Sequence, residues 1–176
     1  FIFAEMCDAV GLPPGVFNMV HGSGREIGAA LSSHPDIAMV PFTGSTAAGV
    51  QVSNMAAPDV KRGCLELGGK SPFIITEEAD LDAAMSFGIN DVMVNTGQTC
   101  NALTRMIVHE SRYDEAVDLA KSKAEALVVG DPTDPYVFVG PMSSAGQKQS
   151  VLDYINQAIS DGARLVTGGT DMPAGL

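Results

Sequence analysis

Ile37-Ala38-Met39-Val40-Pro41-Phe42 runs into Thr43-Gly44-Ser45-Thr46, a stretch to about Ala57 follows before Pro58, and Lys61 to Leu67 is apolar again. The first run has strand length and composition. The Thr-Gly-Ser-Thr group has the small hydroxyl residues that open a helix, and Pro58 stops it. The third run is a strand again, and Pro72 to Thr76 is a further one beyond Gly68-Gly69-Lys70. Strand, helix, strand in this order predicts an α/β fold with parallel strands.

The alternation continues outward in both directions. Residues 2–10 read as a helix ended by Gly11-Leu12-Pro13-Pro14-Gly15, Val16 to Val20 as a short strand, and Gly24 to Ser33 as a helix stopped by His34-Pro35. The residue before a proline is pushed out of the α region. On the other side, Asp80 reads as the N-cap of a helix from Leu81 to about Val94, and Arg105 to His109 as a strand. Ser111-Arg112-Tyr113-Asp114 resembles a capping box. The helix it opens runs to about Val128 with an apolar stripe of Tyr113, Val117, Ala120, Ala124 and Leu127. A Pro-containing loop over 130–141, a helix from Ser144 to Ser160 and a strand from Arg164 to Thr167 complete the reading. Gly68-Gly69 is a turn between two strands or a hinge between two domains.

The 176 residues carry ten Lys and Arg against twenty-one Asp and Glu, a net charge of -11. With 45 % hydrophobic residues this is a globular composition, not a disordered one. The acid excess repels phosphate groups, so neither nucleic acid nor an anionic membrane surface is an expected partner. No apolar run approaches the roughly 20 residues needed to span a bilayer. Cys7, Cys64 and Cys100 are an odd, scattered set without C-x-x-C spacing, which fits free thiols in a reducing, cytoplasmic setting. His21, His34 and His109 are too dispersed for a local metal motif, so no metal is expected.

Three clusters can carry chemistry. Gly22-Ser23-Gly24, followed by Gly28, lies between a strand and a helix. There glycines let a backbone approach a ligand and a helix N-terminus favours an anion; the spacing is not G-x-G-x-x-G, and a tight turn accounts for it equally well. Phe42-Thr43-Gly44-Ser45-Thr46 offers hydroxyls at another helix start, where a simple cap is the plainer reading. The third cluster is a pair. Leu65-Glu66-Leu67-Gly68-Gly69-Lys70 sets an acid at the end of an apolar strand, a setting that desolvates a carboxylate. Asn95-Thr96-Gly97-Gln98-Thr99-Cys100 sets a thiol in a glycine-containing turn after a helix. Taken separately, Glu66 could be a strand-end ion pair and Cys100 a buried small hydrophobe.

Phe42-Thr43-Gly44-Ser45-Thr46, Leu65 to Pro72, and Gly97-Gln98-Thr99-Cys100, in this order, resemble the aldehyde dehydrogenase superfamily, as does the separation of 34 residues between Glu66 and Cys100. Gly11 to Asn18, His34-Pro35-Asp36, Gly130-Asp131-Pro132 and Gly140-Pro141 add to the resemblance, which covers nearly the whole chain. It implies parts of two α/β domains: the end of a Rossmann-like cofactor domain over residues 1–68 and the start of a catalytic domain over 69–176. It implies Cys100 as nucleophile and Glu66 as general base, with Gly24, Gly44, Ser45 and Leu67 at the dinucleotide site. NAD or NADP would be the cofactor and an aldehyde the substrate, oxidised to an acid through a thiohemiacetal and a thioester. A homo-oligomer is implied for the full-length protein. Met93 departs from the family, which more often has an aromatic residue there.

The chain opens within an apolar periodic segment at Phe1 and closes on a glycine-rich stretch over 168–176, so it reads as a piece of a longer protein. On the resemblance, the family's oxyanion-hole Asn and its adenosine-ribose Lys and Glu fall before Phe1, and its E-x-F motif falls after Leu176. Two other readings stand beside this one. One is a non-catalytic piece that at most binds dinucleotide. The other is a cysteine hydrolase, for which His109 is the nearest candidate base.

Overall fold

The structure, a computed structural model, describes residues 1–171. The last part of the 168–176 loop therefore lies outside the described residues. The chain divides into two compact units, Phe1–Leu67 and Gly68–Leu176.

The first unit is built around one strand–helix–strand crossover. Strand β1 (Met39–Gly44) pairs in parallel with β2 (Arg62–Leu67), in a register running from Met39 opposite Arg62 to Gly44 opposite Leu67. Two short helices come first, α1 (Ile2–Ala9) and α2 (Ala29–Ser33); helix α3 (Thr46–Ala56) connects the strands. Val40 from the sheet and Val52 and Ala56 from α3 form the core, with Ile37, Phe42, Met55 and Leu65 packed against it. Helix α3 lies close on β2 because Gly49 faces it: a Cβ there would come 2.8 Å from a methyl of Leu67. Helix α2 ends as its sequence dictates, with His34 extended (ψ 126°) before Pro35. Its last carbonyls are not left to water. Lys61 Nζ donates to Ser32 O at 3.0 Å and His34 O at 2.6 Å, pairs with Asp59 at 3.2 Å, and has a side chain only 2 % exposed.

The second unit repeats the plan. Strand β3 (Pro72–Ile75) pairs in parallel with β4 (Arg105–Val108). Helix α4 (Leu81–Met93) connects them, α5 (Tyr113–Glu125) follows, and α6 (Ala145–Ser160) comes after the 130–141 loop. Ile75, Leu81, Met85 and Ala116 make the core, joined by Phe73, Met106, Val108 and Leu119. Gly88 again permits a close helix, since its Cβ would sit 2.7 Å from the Phe73 ring. Asp80 caps α4 as expected, its Oδ1 accepting the Ala83 N–H at 3.1 Å; Ser144 Oγ does the same for Gln147 at the start of α6.

Five local expectations are corrected. Val16 to Val20 and Arg164 to Thr167 are not strands. Among the described residues the ladders are β1–β2 and β3–β4, so neither segment has a neighbour to bond with. The helix expected over 24–33 is split: Gly24–Gly28 is a π-type turn and only Ala29–Ser33 is α-helical. Ser111 does not form a capping box. Its hydroxyl donates to Glu77 Oε1 at 3.1 Å and contacts His109 Nδ1 at 2.9 Å, leaving α5 without a side-chain cap. The buried face of α5 is Ala116 with Leu119 and Ala120, whereas Tyr113 is exposed. The helix is turned so that an alanine, Ala116, meets the core.

Candidate active site

Four of the residues singled out in the sequence come together at one end of the β1–β2 pair. Gly44 is the last residue of β1 and lies opposite Leu67, the last of β2; Thr43 lies opposite Glu66. Ser45 follows directly as the N-cap of α3, with its Oγ accepting the Ala48 N–H at 3.2 Å. The first turn of a helix keeps further N–H groups without intrahelical partners and carries the positive end of the dipole. The site thus sits at the carboxyl end of parallel strands, where α/β sheets take their ligands. Glu66 is exposed, contrary to the apolar burial expected for it. Side chains alternate along a strand, so Leu65 and Leu67 are half-buried while Glu66 faces the other way. Gly24 opens the π-type turn capped by Ser23, whose Oγ accepts the Glu26 N–H at 3.3 Å and donates to its carboxylate at 3.0 Å. Open space lies where a Gly24 Cβ would be.

Cys100 belongs to the second unit and is exposed. It is not the buried hydrophobe a lone cysteine usually is. Helix α4 gives way to a turn in which Asn95 (φ 51°), Thr96 (φ 60°) and Gly97 (φ 72°) are all left-handed. Asn95 and Gln98 brace each other across it: Asn95 Nδ2 donates to Gln98 O at 3.1 Å and Gln98 Nε2 donates to Asn95 O at 3.0 Å. After Cys100 the chain is tied back to α4 by the Leu103 N–H, which Asp91 Oδ2 accepts at 3.0 Å. The Cys100 carbonyl lies close to Gly69, where a Cβ would come within 3.2 Å of it. Among the described residues the Cys100 N–H donates no hydrogen bond, and the Thr99 hydroxyl beside it is buried without a partner.

The turn is also fastened to the loop after α5. Thr96 Oγ1 donates to Gly140 O at 3.1 Å, and Gln98 Oε1 accepts the Ser143 N–H at 2.9 Å. The resemblance takes in Gly97-Gln98 and Gly140-Pro141 but gave Gln98 no task, and Thr96 lies outside it; the place of Gln98 two residues before Cys100 was the available signal. In the same loop, Asp131 accepts the Thr133 N–H at 2.9 Å and its hydroxyl at 2.8 Å, which holds the Asp131 carboxyl below the usual carboxylate range.

Cys64 is exposed on β2 and Cys7 half-buried on α1. His109 is engaged elsewhere: its Nδ1 meets the Ser111 hydroxyl and accepts the Ser111 N–H at 3.4 Å, fixing the turn before α5. Cavities open among the described residues of the second unit. One of about 800 Å³ runs between α6 and the 129–142 segment, and one of about 410 Å³ lies at the carboxyl end of β3 and β4; Cys100 lines neither. Among the described residues no group of His, Cys, Asp and Glu is arranged to hold a metal ion, and no helix is long and apolar enough to cross a membrane.

The model of the aldehyde dehydrogenase family matches residues 1–176. The chain is 48 % identical over its whole length to a 3-succinoylsemialdehyde-pyridine dehydrogenase from a Pseudomonas species and spans about 37 % of that protein. It is 46 % identical over 167 residues to a probable betaine aldehyde dehydrogenase of Schizosaccharomyces pombe, spanning 33 % of it. Among solved structures, a cysteine-to-alanine variant of aldehyde dehydrogenase C from Pseudomonas syringae, in complex with NAD+ and octanal, superposes with a TM-score of 0.96 at 45 % identity. That superposition covers 99 % of this chain and 36 % of the other. A match along every residue, at these identities and with the same fold, means that the chain belongs to the aldehyde dehydrogenase family.

Proposed function

We propose that this chain carries the nucleophile and the general base of an NAD(P)-dependent aldehyde dehydrogenase, with residues 1–68 serving cofactor binding and 69–176 beginning the catalytic domain. The observation that carries the reading is the exposed Cys100 thiol at the exit of a left-handed turn, beside its own backbone N–H, which donates no hydrogen bond among the described residues. The thiolate attacks the aldehyde carbon, forming a C–S bond. The carbonyl oxygen becomes an oxyanion, and the Cys100 N–H is a donor suited to receive it. Glu66 takes a proton from the water that hydrolyses the thioester, freeing the acid and the thiol; such base catalysis is worth about 10²–10⁴-fold.

The residues present fit a dinucleotide. Gly44 and Leu67 end the two strands, Ser45 caps α3 behind them, and the helix start favours a pyrophosphate. Gly24 leaves room for a further backbone approach. When bound, NAD or NADP supplies the hydride acceptor that turns the Cys100 thiohemiacetal into a thioester. The Pseudomonas syringae relative captured with NAD+ and octanal as a cysteine-to-alanine variant supports the assignment. Three thiols with no disulfide among them suit a cytoplasmic enzyme.

Two substitutions in the full-length enzyme test the roles. Cys100→Ala is expected to abolish both the burst of NADH and steady turnover. Glu66→Gln is expected to slow deacylation more than acylation, so that acyl-enzyme accumulates and is weighed by mass spectrometry. Wild-type turnover in either variant would overturn the corresponding assignment.

A further inference from the structure

The turn before Cys100 is held in a shape its residues do not favour. Glycine enters the left-handed region freely, but a β-branched threonine there is an outlier, and Thr96 sits at φ 60° between two other left-handed residues. Such conformations persist where the surroundings over-determine them, and they cluster at functional sites. Here the surroundings are identifiable. Thr96 Oγ1 is bonded to Gly140 O, and Gln98 Oε1 to the Ser143 N–H. The receiving segment is anchored in turn, because Val128 O accepts the N–H groups of Phe138 and Val139 at 2.9 and 3.0 Å. None of these bonds involves Cys100 itself. They act on the residues two and four positions before it, and all of them come from one side.

We propose that Thr96 and Gln98 are positioning residues: by clamping the left-handed turn to the 140–143 segment they aim the Cys100 thiolate at the aldehyde carbon. The clamp rests on the reading of Cys100 as nucleophile. Its effect is on orientation, where a displacement of about 1 Å can cost roughly 10²-fold in rate. Substrate and cofactor affinity do not depend on it, since neither side chain is asked to touch either molecule. Control of the nucleophile therefore reaches it from a loop more than forty residues downstream.

The test uses the full-length enzyme and four variants. Thr96→Val removes one hydroxyl and keeps the branched shape; Thr96→Ser keeps the hydroxyl. Gln98→Met keeps the side-chain length and removes the acceptor for the Ser143 N–H. Cys100→Ala checks the underlying reading. The readouts are kcat, KM for the aldehyde, and the rate at which iodoacetamide alkylates Cys100 across pH. Thr96→Val and Gln98→Met are expected to lower kcat and alkylation together by about 10- to 100-fold, with KM unchanged, while Thr96→Ser stays near wild type. Wild-type kcat and alkylation in Thr96→Val would overturn the clamp, and so would a loss in Thr96→Ser equal to that in Thr96→Val. Aldehyde oxidation surviving Cys100→Ala would instead remove the nucleophile, and the clamp's purpose with it.

Discussion

Thr99 and Glu66 show what a single residue does and does not reveal before it is placed. Among the described residues the Thr99 hydroxyl is buried without a partner, next to an exposed thiol. A buried hydroxyl left unbonded loses its water for nothing in return, a cost of about 1–3 kcal/mol. Thr99→Val keeps the shape and deletes that hydroxyl. We expect stability to be unchanged or raised by about 1 kcal/mol, read from urea denaturation of the full-length enzyme; a clear loss would mean the hydroxyl has a partner there. Nothing in the sequence Gln98-Thr99-Cys100 distinguishes such a threonine from a solvated one. Glu66 is the converse. Its apolar neighbours suggested burial, but strand alternation puts Leu65 and Leu67 on one face and the acid on the other. Composition around a residue is read from the sequence; the direction of its side chain depends on which face the helix covers.

Among the elements, those whose partners are close in sequence were legible. The crossovers β1–α3–β2 and β3–α4–β4, the caps at Ser45 and Asp80, and the stop at His34-Pro35 all follow from local chemistry. The failures have non-local causes. Val16 to Val20 and Arg164 to Thr167 have strand composition but no described strand beside them, and Ser111 prefers Glu77, 34 residues earlier, to its own helix. Lys61 was equally invisible as a helix terminator, because it reaches the end of α2 from beyond α3 in the sequence, 29 and 27 residues after Ser32 and His34. We expect Lys61→Met to keep the packing but strand those carbonyls, at a cost of about 1–3 kcal/mol. Thermal unfolding of the full-length enzyme would show it, and an unchanged midpoint would mean that Lys61 adds no net stability through those carbonyls.

At the scale of the whole molecule, each unit leaves apolar side chains open: Phe1, Ile2 and Phe3 are 78, 73 and 63 % exposed in the first and Tyr154 is 79 % exposed in the second, and neither α1 nor α6 buries a residue. Patches of that kind mark surfaces meant to be covered. Residues 1–176 expressed alone are therefore expected to bind hydrophobic dyes, aggregate or unfold broadly on heating, and to oxidise no aldehyde. A sharp transition with aldehyde-dependent NADH formation would contradict both expectations.

Each parallel strand pair closes over a short span, β1 to β2 within residues 39–67 and β3 to β4 within 72–108. During synthesis at about 5–20 residues per second, the longer span leaves the ribosome in roughly 2–7 s. The first crossover, with Lys61 arriving just in time to tie down α2, can thus settle before the chain bearing Cys100 has been made. The Cys100 thiol then emerges on a nascent chain whose first strand–helix–strand crossover has had time to form. That order shortens the time an exposed cysteine spends beside unfolded, apolar sequence.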